Sequence, residues 1–379
     1  MDWGLFLEWV IKSFILVMIL LTGFAYLTWY ERKALSRMQV RYGPNRAGKF
    51  GLLQPIADAV KLIFKEELIP DQAEKILFII APIVTVVPAV VITATVPWGP
   101  SFQAFGRTIN LYIANVDVGV LYVTAIASIA VYGIVLAGWS SNNKYAMLGG
   151  LRSTAQMVSY ELALGLSFVV VILLAGSMNM IAIVEAQKDL WFAAIQPTGA
   201  VIFLIATLAE LNRAPFDMPE AEQELTAGYH VEYSGMKFAL FFMAEYTKMI
   251  AISAISATIF FGGYREFWFL KDIPFFSVDS HWWLGPIYMF LKIVVLLFGM
   301  IWARATLPRF RYDRLMSFGW KALLPLSIAV VFVSAIGIAL AQINPLFIWF
   351  IPIVSVFLGF VTIGLVDRSL RRKVYAAAH

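Results

Sequence analysis

Nine stretches of this chain are each long and apolar enough to cross a lipid bilayer. A membrane-spanning helix needs about 20 mostly apolar residues. The predicted spans lie near residues 5–29, 76–97, 118–139, 154–175, 198–213, 237–262, 285–306, 321–342 and 346–366. Only 14% of the 379 residues are charged, whereas about a quarter of a soluble domain is charged. We therefore predict an all-α, polytopic transmembrane helix bundle that forms a single integral membrane domain over residues 1–379.

The positive charges predict how this bundle is oriented. An odd number of spans puts the two ends of the chain on opposite sides. With the N-terminus outside, 22 of the 29 lysines and arginines fall on inner segments, as the positive-inside rule requires. The basic pI of 9.2 is thereby interpreted as a topology signal, and nucleic-acid binding is not expected. The first stretch is too long for the core of a signal peptide, so we interpret it as a retained span.

The inner loops carry most of the dense polar sequence. They are predicted at residues 31–75, 140–153, 214–236 and 303–320, and residues 346–379 form a ninth span with a basic tail. The first inner loop breaks at the turn signal Gly43-Pro44-Asn45. From Leu52 to Glu66 its apolar residues recur at helical spacing with charges on the opposite face, which predicts an amphipathic helix at the membrane surface.

Two interpretations of this first loop stay open. A simple anchor would place its lysines against lipid headgroups. A polar entrance would explain the mixed-sign cluster around the glycine turn better. That cluster comprises Glu31, Arg32, Arg37, Arg41 and Asp58.

Three carboxylates stand out inside predicted spans: Glu161, Glu210 and Glu245. A charged group at membrane depth is costly and is by default a functional hypothesis. Lys248 follows Glu245 at i+3 and could pair with it, while Lys292 stands alone in its span. These groups are either structural ion pairs or a path for protons, because burial raises a carboxyl pKa and a nearby cation lowers it.

An acidic loop follows the fifth predicted span. Its carboxylates are Asp217, Glu220, Glu222, Glu224 and Glu232. Pro215 and Pro219 prevent an ordinary helix at its start. A run of acidic residues is commonly a solvated surface. Its direct contact with the span that holds Glu210 favours a functional role instead. Arginines of opposite sign crowd the inner end of the seventh span, namely Arg304, Arg309, Arg311 and Arg314.

The chain has no cysteine, so it cannot ligate an iron–sulfur cluster through thiolates. Its three histidines, His230, His281 and His379, lack the spacing of a zinc site, and we expect the two in loops at a surface or interface. No metal site, nucleotide loop or hydrolase triad is predicted. A redox centre would have to lie on a partner or a diffusible carrier, and this chain alone has no catalytic residue.

Four blocks of sequence resemble one family. They are YERKALSRMQVRYGPNRAGKFGLLQPIADAVKLIFKE (30–66), GGLRSTAQMVSYE (149–161), LAELNRAPFDMPEAEQELTAGYHVEYSGMKFALFFMAEY (208–246) and RATLPRFRYD (304–313). In this order they resemble the membrane protein at the quinone site of respiratory complex I, the H subunit of NADH-quinone oxidoreductase. The resemblance covers most of the chain, and residues past 343 are less characteristic.

The resemblance implies a subunit of a proton-translocating enzyme in the inner (plasma) membrane of a bacterium. Quinone would be the substrate, and the FMN and iron–sulfur clusters would lie on partner subunits. Expected partners are the soluble quinone-site and terminal iron–sulfur subunits, the antiporter-like membrane subunits and membrane lipid. A related hydrogenase, another quinone- or phenazine-linked dehydrogenase, a stand-alone ion transporter and a structural anchor remain as alternatives.

The resemblance also implies roles for particular residues. The quinone tunnel would be lined by Glu31, Arg32, Arg41, Asp58, Arg304 and Arg309. The proton path would comprise Glu161, Glu210, Glu245 and Lys248. The coupling loop, in which quinone reduction would shift proton affinities, would comprise Asp217, Glu220, Glu222 and Glu224.

Overall fold

The structure is a computed structural model that describes residues 3–104, 106–218, 228–271 and 273–377. Glu220, Glu222, Glu224 and His379 lie outside the described residues, so the predictions made for them stay predictions. The described chain is predominantly helical, as expected. Its helices are α1 (Trp3–Met38), α2 (Gln54–Ile63), α3 (Lys75–Val91), α4 (Gly119–Ser140), α5 (Lys144–Ala175), α6 (Met180–Ala186), α7 (Phe192–Ile195), α8 (Pro197–Glu210), α9 (Gly235–Phe260), α10 (Leu284–Thr306), α11 (Tyr312–Phe318), α12 (Leu324–Ile343) and α13 (Phe350–Ala377).

Eight helical stretches in the described parts of the chain are long and apolar enough to cross a membrane. They match eight of the nine predicted spans, and α11 joins α12 through a π-helical segment, Gly319–Leu323. The remaining prediction, 198–213, corresponds to α8, which has 14 residues. At 1.5 Å per residue α8 is about 21 Å long, shorter than a hydrocarbon layer of about 30 Å.

Several helices extend beyond the predicted spans on the inner side. The predicted loop 140–153 is largely the first turns of α5, where the side chain of Asn143 accepts a hydrogen bond from the Tyr145 amide at 2.9 Å. Helix α1 likewise continues to Met38. Hydropathy marks where a helix leaves lipid, and backbone hydrogen bonding can continue past that depth because polar side chains are solvated there.

Helix α9 occupies the centre of the bundle, since 61% of its span is buried, against 17% for α1 and 11% for the last span. It packs on α3, α10 and α1. Small residues allow such close packing. A Cβ on Gly133 of α4 would lie 2.9 Å from the carbonyl oxygen of Ala81 in α3. The central place of α9 puts Glu245 and Lys248 inside protein and away from lipid.

On the outer side of the bundle the chain forms a short hairpin and a set of hydrogen bonds around Lys292. A short hairpin pairs β1 (Phe102–Ala104) with β2 (Arg107–Ile109) in antiparallel register. Lys292, predicted to stand alone, donates hydrogen bonds to the carbonyl oxygens of Gly263 at 2.8 Å and Arg265 at 2.7 Å. Its ammonium group also lies over the ring of Trp191. These contacts give Lys292 a structural role at the outer end of α9 and α10.

Candidate functional site

A tight turn after α8 sets the geometry of the site. Asn212 has a φ of 50°, in the left-handed region that asparagine adopts more readily than most residues. The buried amide nitrogen of Gln156 donates to the carbonyl oxygens of Ala209 at 2.8 Å and Phe216 at 2.7 Å. Asn212 donates to the hydroxyl of Ser153 at 2.9 Å. Because α5 holds both sides of this turn, the residue between them, Arg213, points into the bundle.

Arg213 joins carboxylates from two other helices. Its guanidinium lies 3.2 Å from a carboxylate oxygen of Glu31 on α1 and 2.5 Å from one of Glu245 on α9. The ring of Tyr246 stacks below it at 4.3 Å. Arg304 from α10 also pairs with Glu31. Arg213 is only 4% exposed and Glu31 only 3%, so this is a buried cluster of alternating charge, and charge pairs of this kind hold three helices and a loop together.

Glu210 and Lys248 form a second buried ion pair. The Lys248 ammonium lies 2.9 Å from a carboxylate oxygen of Glu210 and 3.4 Å from the Glu210 carbonyl oxygen. Lys248 thus pairs across to α8, and the sequence-based pairing with Glu245 on its own helix is replaced. The physical reason is that the last turn of α8 offers a carboxylate and an unsatisfied carbonyl together, which suits an ammonium group.

A cavity with both polar and apolar lining, called the polar cavity for the charged groups along it, lies between the two ion-paired groups. It has a volume of about 50 Å³, and Glu210, Glu245 and Lys248 all line it. Oε2 of Glu210 and Oδ1 of Asn212 are buried without a hydrogen-bond partner among the described atoms. Buried acceptors beside a space of this size are normally satisfied by water. A cavity needs at least about 10–15 Å³ to hold one water molecule, so this cavity has room for water.

The loop at Gly228–His230 covers this cavity on the inner side. A Cβ on Gly149 of α5 would lie 2.5 Å from the Cα of Gly228, so glycine at 149 is what lets the loop sit directly on α5. Tyr229 and His230 then line the cavity. The sequence predicted His230 at a surface or interface, and nothing in its immediate neighbours signalled that it lines a cavity. The close approach of two glycines far apart in sequence is visible only in the fold.

The predicted proton-path residues are only partly gathered. Glu161 on α5 is half-buried and accepts a hydrogen bond from the hydroxyl of Ser128 on α4. It lies one helical turn beyond Met157, which lines the cavity, but Glu161 itself is not among the lining residues. Glu210, Glu245 and Lys248 are brought together.

The predicted tunnel residues lie at or just beyond the inner ends of α1 and α10, and in the middle of α2. Arg32 pairs with Asp58 at 2.7 Å and thereby ties α1 to α2. Arg309 pairs with Asp217 of the acidic loop at 2.9 Å. Arg41 is exposed beside the side chain of Gln39. The structure therefore places Glu31 and Arg304 in the buried cluster, and Arg32, Asp58 and Arg41 at the surface around it.

Arg213 and Tyr246 are the residues of the cluster that sequence reasoning did not select. Both lie in the sequence block 208–246, but no role is predicted there for either residue. A signal was present for Arg213, because an arginine at the end of a predicted span that also holds Glu210 requires a carboxylate partner if it is buried.

Together these features define a multi-pass helical membrane protein with ionisable groups buried along its bundle. Comparison with known sequences agrees with this. A family model described as "NADH dehydrogenase" matches residues 11–335. A protein of Thermomicrobium roseum, named as the H subunit of NADH-quinone oxidoreductase, is 48% identical over 338 residues, covering 86% of this chain and 95% of the relative.

Two further relatives carry the same name. The protein of Protochlamydia amoebophila is 48% identical, with 83% of this chain and 92% of the relative covered. That of Rickettsia typhi is 50% identical, with 82% and 88% covered. The chain therefore belongs to the NADH dehydrogenase family, within the group of H subunits of NADH-quinone oxidoreductase. This confirms the resemblance found in the four sequence blocks.

Proposed function

We propose that this subunit of complex I forms the quinone tunnel and part of the quinone chamber, and that it couples quinone reduction to proton transfer. The observation that carries the proposal is the continuity of its buried charges. Glu31 connects through Arg213 to Glu245, and the polar cavity connects Glu245 to Glu210 and Lys248. The chain of groups runs from the inner end of α1 to the core of the bundle.

Such an arrangement can transmit a change of charge. Buried ion pairs exist only while both partners are charged, so a new charge near one end alters the balance along the row. At an effective dielectric constant of about 20, one unit charge at ~8 Å contributes ~2 kcal/mol. That energy exceeds the thermal energy several-fold. Reduction of quinone near Glu31 and Arg304 would thus change the proton affinity of Glu245 and, through the cavity, of Glu210.

The acidic loop extends the proposal toward the inner surface. Asp217 is 2% exposed and pairs with Arg309, whose side chain is 42% exposed, so the described start of the loop already holds a buried carboxylate paired with an arginine at the surface. We assign Glu220, Glu222 and Glu224 of the same loop to the response to quinone. Glu161, hydrogen-bonded to Ser128, continues the path away from the chamber, toward the antiporter-like subunits.

The inner surface suits a soluble partner. Val40 is 92% exposed and Tyr42 97%, and Val40 has a φ of 55°, which is strained for a β-branched residue. An exposed, strained apolar tip is expected to be covered in the assembled enzyme. We assign this surface to the soluble quinone-site and iron–sulfur subunits, which would hold FMN and the clusters in their arm of the enzyme.

The amphipathic helix α2 supports an opening beside the lipid. Its apolar residues are exposed, with Ile56 at 57%, Val60 at 47% and Ile63 at 58%, while Asp58 faces Arg32. A helix with one face toward lipid and one toward a charge pair fits the rim of a passage for a lipid-soluble quinone. The enzyme would lie in the inner membrane of a bacterium.

The experiment compares Glu245→Gln and Glu210→Gln in the assembled enzyme reconstituted into liposomes, with quinone reduction and proton translocation measured together. Each change keeps the side-chain shape but removes the titratable group. We expect proton translocation per quinone reduced to fall at least about tenfold, because a removed acid–base group commonly costs 10²–10⁴ in rate. Glu8→Gln is the matched control, since Glu8 also pairs with a lysine, Lys12, but at the outer end of α1.

Wild-type translocation in both variants, with reduction intact, would contradict the coupling role. Equal loss in Glu8→Gln would show a general effect of removing an ion pair. Loss of quinone reduction together with translocation supports a tight link between them.

A further inference from the structure

We propose that His230 is the residue through which the polar cavity exchanges protons with the inner surface of the protein. This rests on the proposed proton path and names the group at its entrance, a role that neither the sequence blocks nor the family comparison assigns.

The position of His230 carries the first part of the argument. The residue is half-buried and lines the cavity, so it borders the cavity and the surface at once. Its ring meets Tyr229 edge-on with centroids 4.9 Å apart, and Phe238 of α9 at 5.7 Å. These contacts hold the imidazole over the cavity, and the Gly149–Gly228 contact holds the backbone.

The other titratable groups of the cavity are suited to different tasks. Among its described lining residues they are Glu210, Tyr229, Glu245 and Lys248. Glu210 and Lys248 are tied to each other, and Glu245 to Arg213. A phenol ordinarily titrates near pH 10 and an ammonium group near 10.4, whereas an imidazole titrates near 6.5. Imidazole is therefore the lining group that ordinarily both takes up and releases protons around neutral pH.

The cavity supplies what the imidazole would exchange with. The unsatisfied Oε2 of Glu210 and Oδ1 of Asn212 can accept hydrogen bonds from water in the cavity. The imidazole of His230 can then release a proton to this water and regain one from the inner surface. One proton enters and one leaves, so the net charge of the imidazole is unchanged over the cycle.

The test uses His230→Asn in the assembled, reconstituted enzyme. Asparagine keeps a polar side chain of similar reach but does not titrate. We expect proton translocation to fall at least about tenfold at neutral pH, and its variation between pH 6 and pH 8 to flatten. The smaller His230→Ala should show the same loss, and added imidazole should restore part of it. A residue with only a structural role would give neither the flattened profile nor the rescue.

His281→Asn is the matched control. His281 lies on the outer side among aromatic rings, with Phe275 at 5.7 Å and Trp283 at 5.9 Å, so its replacement should leave the pH profile unchanged. If His230→Asn translocates with the wild-type rate and profile while Glu210→Gln and Glu245→Gln fail, this inference is overturned and the proposed function stands. If all three translocate normally, the proposed function fails as well.

Discussion

Arg213 has the most demanding position of any cation in the buried network. It contacts two carboxylates on different helices, and its planar guanidinium presents several N–H groups in fixed directions, which a lysine cannot reproduce. Removing one partner from a buried ion pair leaves an uncompensated charge, which typically costs about 3–5 kcal/mol. The stability of the inner half of the bundle therefore depends on this side chain.

We predict that Arg213→Met lowers the stability of the assembled enzyme by about 3–5 kcal/mol. Arg213→Lys should lose less, about 1.5–3 kcal/mol, which is the usual contribution of a hydrogen bond to a charged group. Thermal unfolding of the purified enzyme in detergent measures both.

The control for this prediction is Arg311→Met. Arg311 lies 3.6 Å from Asp313, and both side chains are about three-quarters exposed, at 74% and 76%. Exposed pairs contribute about 0–1 kcal/mol, so little change is expected. Equal stability of Arg213→Met and Arg213→Lys would contradict the bridging role of the guanidinium.

Helix α5 positions the site through its backbone as much as through its side chains. It holds the turn after α8 through Gln156 and Ser153, and it supports the Gly228–His230 loop at Gly149. The first turns of α5, which lie in a predicted loop, are thus part of the site's framework. A change in how α5 packs should therefore alter the shape of the cavity.

We predict that Gly149→Ala displaces the Gly228–His230 loop and impairs proton translocation. The added methyl would meet backbone atoms, which cannot move aside as a flexible side chain can, and such overpacking typically costs about 1–3 kcal/mol. Unfolding temperature and proton translocation in the reconstituted enzyme are the measurements.

Gly165→Ala on the same helix is the control, because a Cβ there meets nothing within 4 Å. Alanine is favoured over glycine in a helix by about 0.5–1 kcal/mol, so this variant should be as stable as wild type or more so. If Gly149→Ala behaves in the same way, the close approach of the loop to α5 is not important for function.

Across the whole molecule the two faces differ in how their charges are held. The network on the inner half is buried, whereas the outer carboxylates Glu185, Asp189 and Asp279 are 46%, 91% and 58% exposed. There Arg265 lies 3.2 Å and Lys188 3.3 Å from Asp279. Burial alone would raise the pKa of Asp279, but the hydrogen bond from Lys188 and the charge of Arg265 outweigh it and lower that pKa below its ordinary value of 3.8.

A carboxyl group whose pKa is lower in the folded state stabilises the fold when it is ionised. Its contribution is complete above the unfolded pKa, near 3.8, and is lost as the pH falls below that value and through the folded pKa. We predict that Asp279→Asn lowers the unfolding temperature at neutral pH and that its difference from wild type shrinks as the pH falls below about 4. High salt should also reduce this difference in unfolding temperature, because Asp279 is 58% exposed and salt screens exposed charges.

A constant difference between Asp279→Asn and wild type at all pH values would show that the carboxylate charge does not matter. Measurements on the assembled enzyme in detergent, in small steps of pH, are sufficient.

Hydropathy along the chain predicted the all-α class, eight of the membrane-crossing helices and the amphipathic helix of the first inner loop, although three of those helices run about ten residues further on the inner side than predicted. It could do so because the peptide groups of a membrane-spanning helix are hydrogen-bonded within that same helix. Such a helix can therefore be recognised from its length and its lack of polar side chains. The same reasoning found Glu210, Glu245 and Lys248, since a charge at membrane depth is conspicuous in sequence.

Which of these charges meet was decided only by the tertiary structure. Lys248 pairs with Glu210, 38 residues away, and Arg213 with Glu31, 182 residues away. The cavity, the contact of Gly149 with Gly228 and the place of His230 depend on how separate helices pack. A helix specifies its own hydrogen bonds locally, whereas the partners of a buried side chain depend on the packing of the whole bundle.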